Sequence, residues 1–253
     1  MITVDDFRFL TDLQWRTHHE ATNGVFIAEG LTTIERAITS GLVLRSVLTS
    51  SKWIGALRNL GIPAERIIEQ SDADIAALAG YAVHRGALAA FERPRNPDAK
   101  WLLARGSRLI VTENIVDHAN IGSIMRVAAA FGFDGVVLSE ACADPLYRRA
   151  VKVSMGTVFR VPWARSDKAL ELARSCGVIT LALTPDASAM DIRLLDEQMR
   201  SQRIALLLGS EGPGLQPVTR EQASMQVRIP MAPGVDSLNV AAATAVACYE
   251  LTR

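Results

Sequence analysis

The strongest constraint on the fold is a series of short apolar segments that alternate with helical patterns in the second half of the chain. The apolar segments occupy residues 108–112, 135–139, 178–183, 204–208 and 226–229. Helical patterns occupy residues 121–131, 145–154, 166–176 and 237–251. Continuous apolar strands separated by helices predict an α/β fold with a mainly parallel sheet covered on both faces. Ligands of such sheets lie beyond the carboxyl ends of the strands.

A second, smaller α/β unit precedes this region. The sequence predicts strands at 25–28, 46–49 and 87–91, and helices at 31–40 and from Ser71 onward. Residues 92–107 contain Pro94, Pro97 and several charges, which is typical of a linker. With 49% hydrophobic residues the 253-residue chain can bury a core. We therefore predict two domains, comprising residues 1–98 and 99–253.

The balanced charge and the cysteine spacing argue against a protein with an overall basic surface and against a cysteine metal site or disulfide. Lysine plus arginine and aspartate plus glutamate number 27 each, so any nucleic-acid binding must use a local patch. Cys142, Cys176 and Cys248 have no metal-ligand spacing and are expected to be small buried residues. The N-terminus lacks a basic segment followed by an apolar one, and the longest apolar tract, near 238–248, falls short of the roughly 20 residues of a membrane helix. These features predict a cytoplasmic protein without a metal or a membrane partner.

The first of three notable loops leads into the helix that contains Arg126. Asn120 is placed as the helix cap, followed by an apolar stripe formed by Ile121, Ile124, Met125 and Ala128. Arg126 lies off this stripe. It is either a solvated arginine on an amphipathic helix or a functional cation.

The second loop, Gly-Ser-Glu-Gly-Pro-Gly-Leu at 209–215, follows an apolar run. It lacks the patterns of phosphate-binding and dinucleotide-binding loops, and it contains Glu211 with no lysine nearby. Its glycines either serve a tight turn alone or let the backbone approach a ligand that carries no phosphate.

The third loop, 229–240, leads into a helix that is apolar nearly all round. Such a helix is buried by the rest of its domain or by a second subunit. Ser237 is a plausible helix cap. Asn239, in the first turn, has a polar partner or serves only in capping.

Together the three loops resemble the signature motifs of the SpoU class of RNA methyltransferases in the SPOUT superfamily. The first motif is matched by Asn120, Gly122 and Arg126, the second by 209–215, and the third by 229–231 with 237–240. Order and spacing agree over 108–253. The front part resembles, more loosely, the family's small substrate-recruiting domain at 26–30 and 84–89. The chain departs from the pattern at His118, where proline is common, at Ala241, where serine is common, and at Lys152, where arginine is common.

The resemblance implies a parallel-sheet α/β trefoil-knot (SPOUT) catalytic domain preceded by a small ribosomal-protein-like domain that binds the RNA substrate. It implies S-adenosylmethionine as cofactor, a ribose 2′-hydroxyl of RNA as methyl acceptor, and a homodimer formed through the knot domain. The front domain favours ribosomal RNA over transfer RNA.

The resemblance also implies the site residues. The catalytic group comprises Asn120, Arg126, Glu211, Ser237 and Asn239. The cofactor-binding group comprises Thr184, Leu208, Gly209, Ser210, Gly214, Ile229, Met231 and Leu238. A carboxylate such as Glu211 is tolerable beside this cofactor, which carries a sulfonium cation and no phosphate.

The sequence leaves several alternatives open. The basic residues Arg148, Arg149 and Lys152 are either a solvated helix face or a phosphate track for RNA. The chain could modify transfer RNA, methylate a base instead of ribose, or bind RNA without catalysis. His118 is either an exposed loop histidine or a proton acceptor.

Overall fold

The computed structural model describes residues 4–83 and 86–253. His84 and Arg85, which belong to the looser resemblance of the front part, lie outside the described residues. The strands are β1 (Val25–Glu29), β2 (Leu44–Thr49), β3 (Ile67–Glu69), β4 (Ala87–Glu92), β5 (Arg108–Thr112), β6 (Gly135–Leu138), β7 (Trp163–Arg165), β8 (Ile179–Leu183), β9 (Met190–Asp191), β10 (Ile204–Leu208) and β11 (Met225–Arg228). The α-helices are α1 (Leu13–Asn23), α2 (Leu31–Thr39), α3 (Ile54–Asn59), α4 (Asp72–Ala79), α5 (Ala99–Arg105), α6 (His118–Ala130), α7 (Arg148–Val153), α8 (Ala169–Ser175), α9 (Glu197–Arg200), α10 (Pro217–Gln222) and α11 (Val240–Thr252).

The chain divides into two compact units. The front unit comprises the residues up to Arg95 together with Leu146–Phe159, and the second unit comprises Asn96–Pro145 and Arg160–Arg253. The boundary predicted at 98/99 lies close to the break after Arg95. The domain prediction did not place residues 146–159 in the front unit. In the sequence, α7 follows β6 as an ordinary crossover helix does, so nothing there indicated that this segment packs with the front unit.

The front unit is built on a four-stranded sheet in the order β1-β4-β2-β3. Strand β4 pairs antiparallel with β1 and β2, whereas β2 and β3 are parallel. All five residues of β1 are buried because apolar groups cover both of its faces. On one face Ile27 and Leu88 join the core formed with Phe7. On the other, the ring of Phe26 lies 5.5 Å from that of Phe159, which belongs to the returning segment.

The second unit contains a seven-stranded sheet in the order β7-β6-β5-β10-β8-β11-β9, and its neighbouring strands pair in parallel. The predicted parallel α/β sheet is thereby confirmed. Leu109 and Leu207 pack on one side with Leu102 of α5 and Ala173 of α8. Ile110 on the opposite side is also fully buried, as expected for a sheet covered on both faces.

The sheet topology places three strand ends at one edge. Strands β8, β10 and β11 are neighbours and run in the same direction, so the segments that follow them leave from the same side. These segments begin at Thr184, Gly209 and Ile229. The trefoil knot that the resemblance implies stays a prediction. Within the described ranges no helix combines the length and the apolarity needed to cross a membrane.

The predicted linker at 92–107 is too long. Helix α5 occupies its second half, and Asp98 caps that helix by accepting a hydrogen bond from the backbone N–H of Trp101 at 3.1 Å. The helix is held by the burial of Leu102 and Leu103 against the sheet. The prolines at 94 and 97 mark only the extended segment before the cap, since proline disfavours helical backbone in the residue preceding it.

Candidate functional site

A cavity of about 320 Å³ lies beyond the carboxyl ends of β8, β10 and β11. This volume falls within the range of small-molecule sites. The eight residues predicted to bind the cofactor all line it, namely Thr184, Leu208, Gly209, Ser210, Gly214, Ile229, Met231 and Leu238. Three of the five predicted catalytic residues, Glu211, Ser237 and Asn239, line it as well. The second and third motifs therefore form the walls of one cavity.

The glycine-rich loop of the second motif folds tightly on its own backbone. Ser210 and Gly214 form an isolated β-bridge, in which the Gly214 N–H donates to the Ser210 carbonyl at 3.0 Å. A Cβ atom on Gly209 would lie 2.1 Å from the Gly214 carbonyl carbon and 2.1 Å from the Leu215 nitrogen. Gly209 is therefore required by space alone. Gly212 and Gly214 have φ values of +84° and +71°, in the left-handed region that favours glycine.

Side chains from all three motifs meet in a hydrogen-bonded cluster. The Asn120 side-chain amide donates to Glu211 Oε1 at 2.9 Å, and the Asn239 amide donates to the same oxygen at 2.7 Å. The Asn239 amide also donates to Asn120 Oδ1 at 3.1 Å. Two amides thus hold one carboxylate oxygen, and the cluster fixes the relative positions of α6, the glycine-rich loop and α11.

The helix caps differ from those predicted. Asp117, not Asn120, caps α6, and its carboxylate accepts hydrogen bonds from the N–H groups of Ala119 at 2.6 Å and Asn120 at 3.0 Å. The prediction was wrong because both residues suit a cap and the chain uses the earlier one. The side chain of Asn120 is consequently free to bind Glu211.

The prediction that Ser237 caps α11 is also wrong. Asn239 caps this helix through Oδ1, which accepts hydrogen bonds from the N–H groups of Ala241 and Ala242 at 2.9 and 3.3 Å. Its Nδ2 simultaneously donates into the cluster. Both alternatives considered for Asn239, capping and a polar partner, are therefore true of different atoms. Ser237 is exposed at the cavity wall.

Arg126 is not brought into the cavity of this chain. It lies on α6 with an exposed side chain, off a stripe whose members Ile121, Ile124 and Met125 are buried as predicted. Among residues 4–83 and 86–253 its guanidinium has no hydrogen-bond or ion-pair partner. His118 is the first residue of the same helix.

The cavity wall carries the negative charge of Glu211, which no side-chain cation in residues 4–83 and 86–253 offsets by direct contact. Glu211 accepts hydrogen bonds from neutral amides, and no lysine, arginine or histidine in the described part of the chain lies within ion-pair distance of it. Such a wall suits a ligand that carries a positive charge and disfavours a phosphate. The described residues also contain no group of three or more histidine, cysteine or acidic side chains placed to hold a metal ion.

The predicted RNA-binding cations lie in the front unit. Arg148 and Lys152 bind the carboxylate of Glu29 at 2.7 and 2.8 Å, whereas Arg149 is exposed. The Tyr81 hydroxyl also donates to Glu29 at 3.0 Å, and Arg148 lies over the Tyr81 ring. Burial alone raises the pKa of the Glu29 carboxyl, but the hydrogen bonds and charges of Lys152 and Arg148 outweigh it and leave that pKa below its ordinary value.

Some residues of the site were not identified from the sequence. Leu183, Pro185, Gly212, Val240 and Ala243 line the cavity beside predicted positions. Their apolar or small side chains give no chemical signal. Gly212 and Val240 could have been identified only as members of the motifs, and the others only by their proximity to predicted positions. Glu113, whose carboxylate binds the backbone of Gln216 at 2.8 Å, was also missed. An acidic residue directly after a buried strand was the available signal.

Comparison with known proteins agrees with this geometry. A family model described as the SpoU rRNA Methylase family matches residues 107–249. An uncharacterised tRNA/rRNA methyltransferase of Mycobacterium bovis is 38% identical over 258 residues, which cover 99% of this chain and 88% of that protein. The 23S rRNA (guanosine-2′-O-)-methyltransferase RlmB of Salmonella typhi is 31% identical over 68% of this chain and 72% of its own length.

Among solved structures, an AdoMet-bound rRNA methyltransferase from Sinorhizobium meliloti superposes with a TM-score of 0.83 at 27% identity, covering 98% of this chain and 93% of that one. The similarity therefore extends over both units of the chain and is not confined to the three motifs. The chain belongs to the SpoU family of tRNA/rRNA methyltransferases.

Proposed function

We propose that this protein transfers a methyl group from S-adenosylmethionine (AdoMet) to a ribose 2′-hydroxyl of ribosomal RNA. The observation that carries the proposal is the uncompensated carboxylate of Glu211, which two amides hold at the wall of the cavity. The names of two relatives support it. The Salmonella enzyme is a guanosine-2′-O-methyltransferase of 23S rRNA, and the Sinorhizobium structure is AdoMet-bound.

The residues around the cavity fit AdoMet in chemistry as well as in size. Leu183, Leu208 and Ile229 supply apolar surface for an adenine ring, and Gly209 brings backbone close to the cavity without a side chain. Glu211 attracts the sulfonium charge. Bound there, AdoMet would supply an electrophilic methyl group carried on sulfur.

The remaining chemistry requires an oriented ribose and a place for the hydroxyl proton. The ordinary pKa of an arginine side chain lies far above neutral pH. Keeping one neutral at pH 7 therefore costs about 9 kcal/mol, which makes it a poor base. We assign Arg126 instead as a cation that orients the target phosphate and stabilises the developing alkoxide. The hydroxyl proton then passes to phosphate or water.

The position of Arg126 and the surface of α11 support assembly with a second copy. Arg126 does not line the cavity of its own chain. Helix α11 and the segment before it expose Leu238 at 40%, Val246 at 41% and Tyr249 at 55%. We propose that these apolar groups pack in a homodimer through the knot domain, and that Arg126 serves the cavity of the partner. Sedimentation at micromolar concentration tests this, since a monomer contradicts it.

Labelled methyl transfer tests the reaction. Purified protein is incubated with [methyl-³H]AdoMet and, separately, with ribosomal and transfer RNA from cells that lack the gene. The RNA is then digested to nucleosides. We expect label in a 2′-O-methylnucleoside from ribosomal RNA. Label in a methylated base contradicts the ribose assignment, label only in transfer RNA contradicts the substrate, and binding of RNA without transfer supports a non-catalytic protein of the same fold.

Glu211→Gln tests the observation that carries the proposal. This change keeps the hydrogen-bond acceptor and removes the charge. One unit charge at about 4 Å in a water-like dielectric is worth about 1 kcal/mol, so we expect AdoMet to bind about fivefold more weakly. S-adenosylhomocysteine, which lacks the sulfonium charge, should bind unchanged. Glu197→Gln, an exposed position outside the cavity, is the matched control. Equal losses for both ligands would refute the electrostatic role.

Arg126→Lys tests the orienting role. Lysine keeps the charge and loses the planar pair of donors that binds phosphate at two points. We expect kcat to fall about a hundredfold while AdoMet affinity is unchanged. Arg160→Lys, at another exposed arginine, is the control. A near-normal rate for Arg126→Lys with an unchanged pH profile would show that the bidentate role is wrong.

A further inference from the structure

Glu113 connects the two ends of the glycine-rich loop. It directly follows β5, and its backbone N–H donates to the carbonyl of Leu208, the last residue before the loop, at 2.8 Å. Its carboxylate accepts a hydrogen bond at 2.8 Å from the N–H of Gln216, just after the loop, and a second one from the Thr219 hydroxyl. One residue at the end of a neighbouring strand therefore fixes where the loop begins and where it ends.

The carboxylate has a physical reason to be at this position. Helix α10 begins with Pro217, and its own cap residue, Gln216, makes no side-chain capping hydrogen bond. Glu113 instead binds the start of this helix through the N–H of Gln216 and the hydroxyl of Thr219. Its negative charge is also favourable near a helix N-terminus, where backbone N–H groups lack partners. The carboxylate thus makes two charge-assisted hydrogen bonds at the start of the helix.

Glu113 does not touch the cavity itself. The cavity-lining residues include Gly209, Ser210, Glu211, Gly212 and Gly214, all of which lie between the two points that Glu113 holds. Any effect of Glu113 on a ligand in the cavity must therefore pass through the conformation of this loop.

We propose that Glu113 is a positioning residue, which holds the glycine-rich loop in the conformation that binds the cofactor. This inference rests on the proposed use of AdoMet at the cavity. The positioning role predicts different effects on AdoMet binding and on the rate of methyl transfer. Loss of the Glu113 carboxylate should weaken AdoMet binding. It should change kcat at saturating AdoMet little, because the loop conformation is restored once the ligand is bound.

The test compares Glu113→Ala, Glu113→Gln and Thr219→Val. Hydrogen bonds to a charged group contribute about 1.5–3 kcal/mol, so we expect Glu113→Ala to raise the AdoMet Kd and KM about tenfold or more. Glutamine retains an acceptor for the Gln216 N–H and should recover most of the affinity. Thr219→Val removes one of the two donors to this carboxylate and leaves the Gln216 contact in place, so Kd should rise less than in Glu113→Ala, by about threefold.

A matched control separates positioning from general stability. Asp134 also accepts hydrogen bonds from two backbone N–H groups, those of Ser107 at 2.7 Å and Arg108 at 2.9 Å, but at the amino end of β5. We expect Asp134→Ala to lower Tm as Glu113→Ala does and to leave the AdoMet Kd unchanged.

The outcomes distinguish the two proposals. If the unmodified protein binds no AdoMet in calorimetry, the proposed function fails. If it binds AdoMet and Glu113→Ala binds equally well, only the positioning role fails. The positioning role also fails if Asp134→Ala weakens AdoMet binding as much as Glu113→Ala does. The Thr219→Val variant should fold normally. If its AdoMet Kd is unchanged, or if only its kcat falls, the role fails as well.

Discussion

Replacing Gly209 by alanine is the sharpest test of the loop geometry. The added Cβ would lie 2.1 Å from two backbone atoms, whereas ordinary contacts begin near 3.4 Å. The opposing backbone, at Gly214 and Leu215, must therefore retreat by about 1.3 Å. It has little freedom to do so. Leu215 is buried in the core of the second unit, and the next residue, Gln216, is bonded to Glu113.

The expected cost follows from this lack of freedom. A group forced into a well-packed site costs about 1–3 kcal/mol. With about 2 kcal/mol as the middle value, and with a Tm change of about 3 °C per kcal/mol for a protein of this size, we expect Tm to fall by about 6 °C. Gly214, which belongs to the displaced backbone, lines the cavity, so the AdoMet Kd should also rise more than about tenfold.

The assay measures Tm by differential scanning fluorimetry and AdoMet binding by calorimetry, with Gly177→Ala as the control. Gly177 belongs to the same unit and lies outside the cavity. Its φ is +67°, and among the described residues no atom outside Gly177 and its two chain neighbours lies within 4 Å of the position that an added Cβ would take. Its replacement costs about 1–2 kcal/mol of backbone strain and should leave the AdoMet Kd unchanged. A Gly209→Ala variant with normal Tm and normal Kd would refute the reasoning.

Three further predictions concern charged and capping groups. Arg148→Ala leaves Glu29 buried with less compensation, so we expect a loss of about 3 kcal/mol at pH 7. The paired cations depress the folded-state pKa of Glu29, so their stabilisation is present above the ordinary pKa of a glutamate and is lost as the pH falls through the folded-state value. The difference in unfolding free energy between the variant and the unmodified protein, measured in urea, should therefore shrink on acidification, and a constant difference would contradict this. Asn239→Asp keeps the helix cap but places a second carboxylate about 2.7 Å from Glu211 Oε1. The repulsion between the two charges costs about 1.5 kcal/mol in a water-like dielectric, so Tm should fall. Added salt should restore the Tm of this variant but not that of Asn239→Ala. Arg149→Gln should reduce the salt slope of RNA binding by about 1 without changing Tm, and an unchanged slope would exclude a phosphate contact.

The sheet and the cavity could be predicted because their signals are continuous in the sequence. The run Ile204–Leu208 is apolar throughout and is buried at every position, as a central strand of a parallel sheet must be. Loops that follow neighbouring parallel strands converge at one edge. The three motifs therefore implied a common site once the strands were assigned.

Choices between near-equivalent residues could not be predicted. Asp117 and Asn120 are both good helix caps, and Ser237 and Asn239 are as well. The decision depends on what the unused side chain can bind. Asn120 gains Glu211 as a partner, and this contact exists only once residues 91 positions apart in the chain are brought together.

Short elements stabilised by residues distant in the chain also could not be predicted from the sequence. Strands β3, β7 and β9 have three, three and two residues, too few to show a period. Helix α5 has seven residues and directly follows a segment with two prolines and several charges, and that segment led to the prediction of a linker. In each case packing against the rest of the unit supplies the stability that local propensity does not.

The basic cluster shows how an ion pair changes the interpretation of a sequence pattern. Along the chain, Arg148, Arg149 and Lys152 are three equivalent cations on one helix. Glu29, more than a hundred positions earlier, binds Arg148 and Lys152 but not Arg149, so the three cations have different roles. Arg148 is 17% exposed and paired, so its removal should act mainly on stability, whereas Lys152 is 42% exposed and keeps part of its charge accessible. Arg149 alone is both exposed and outside the pairing with Glu29. A variant that neutralises all three would confound unfolding of the front unit with loss of RNA contacts, and only the comparison of Arg149→Gln with Arg148→Ala can separate them.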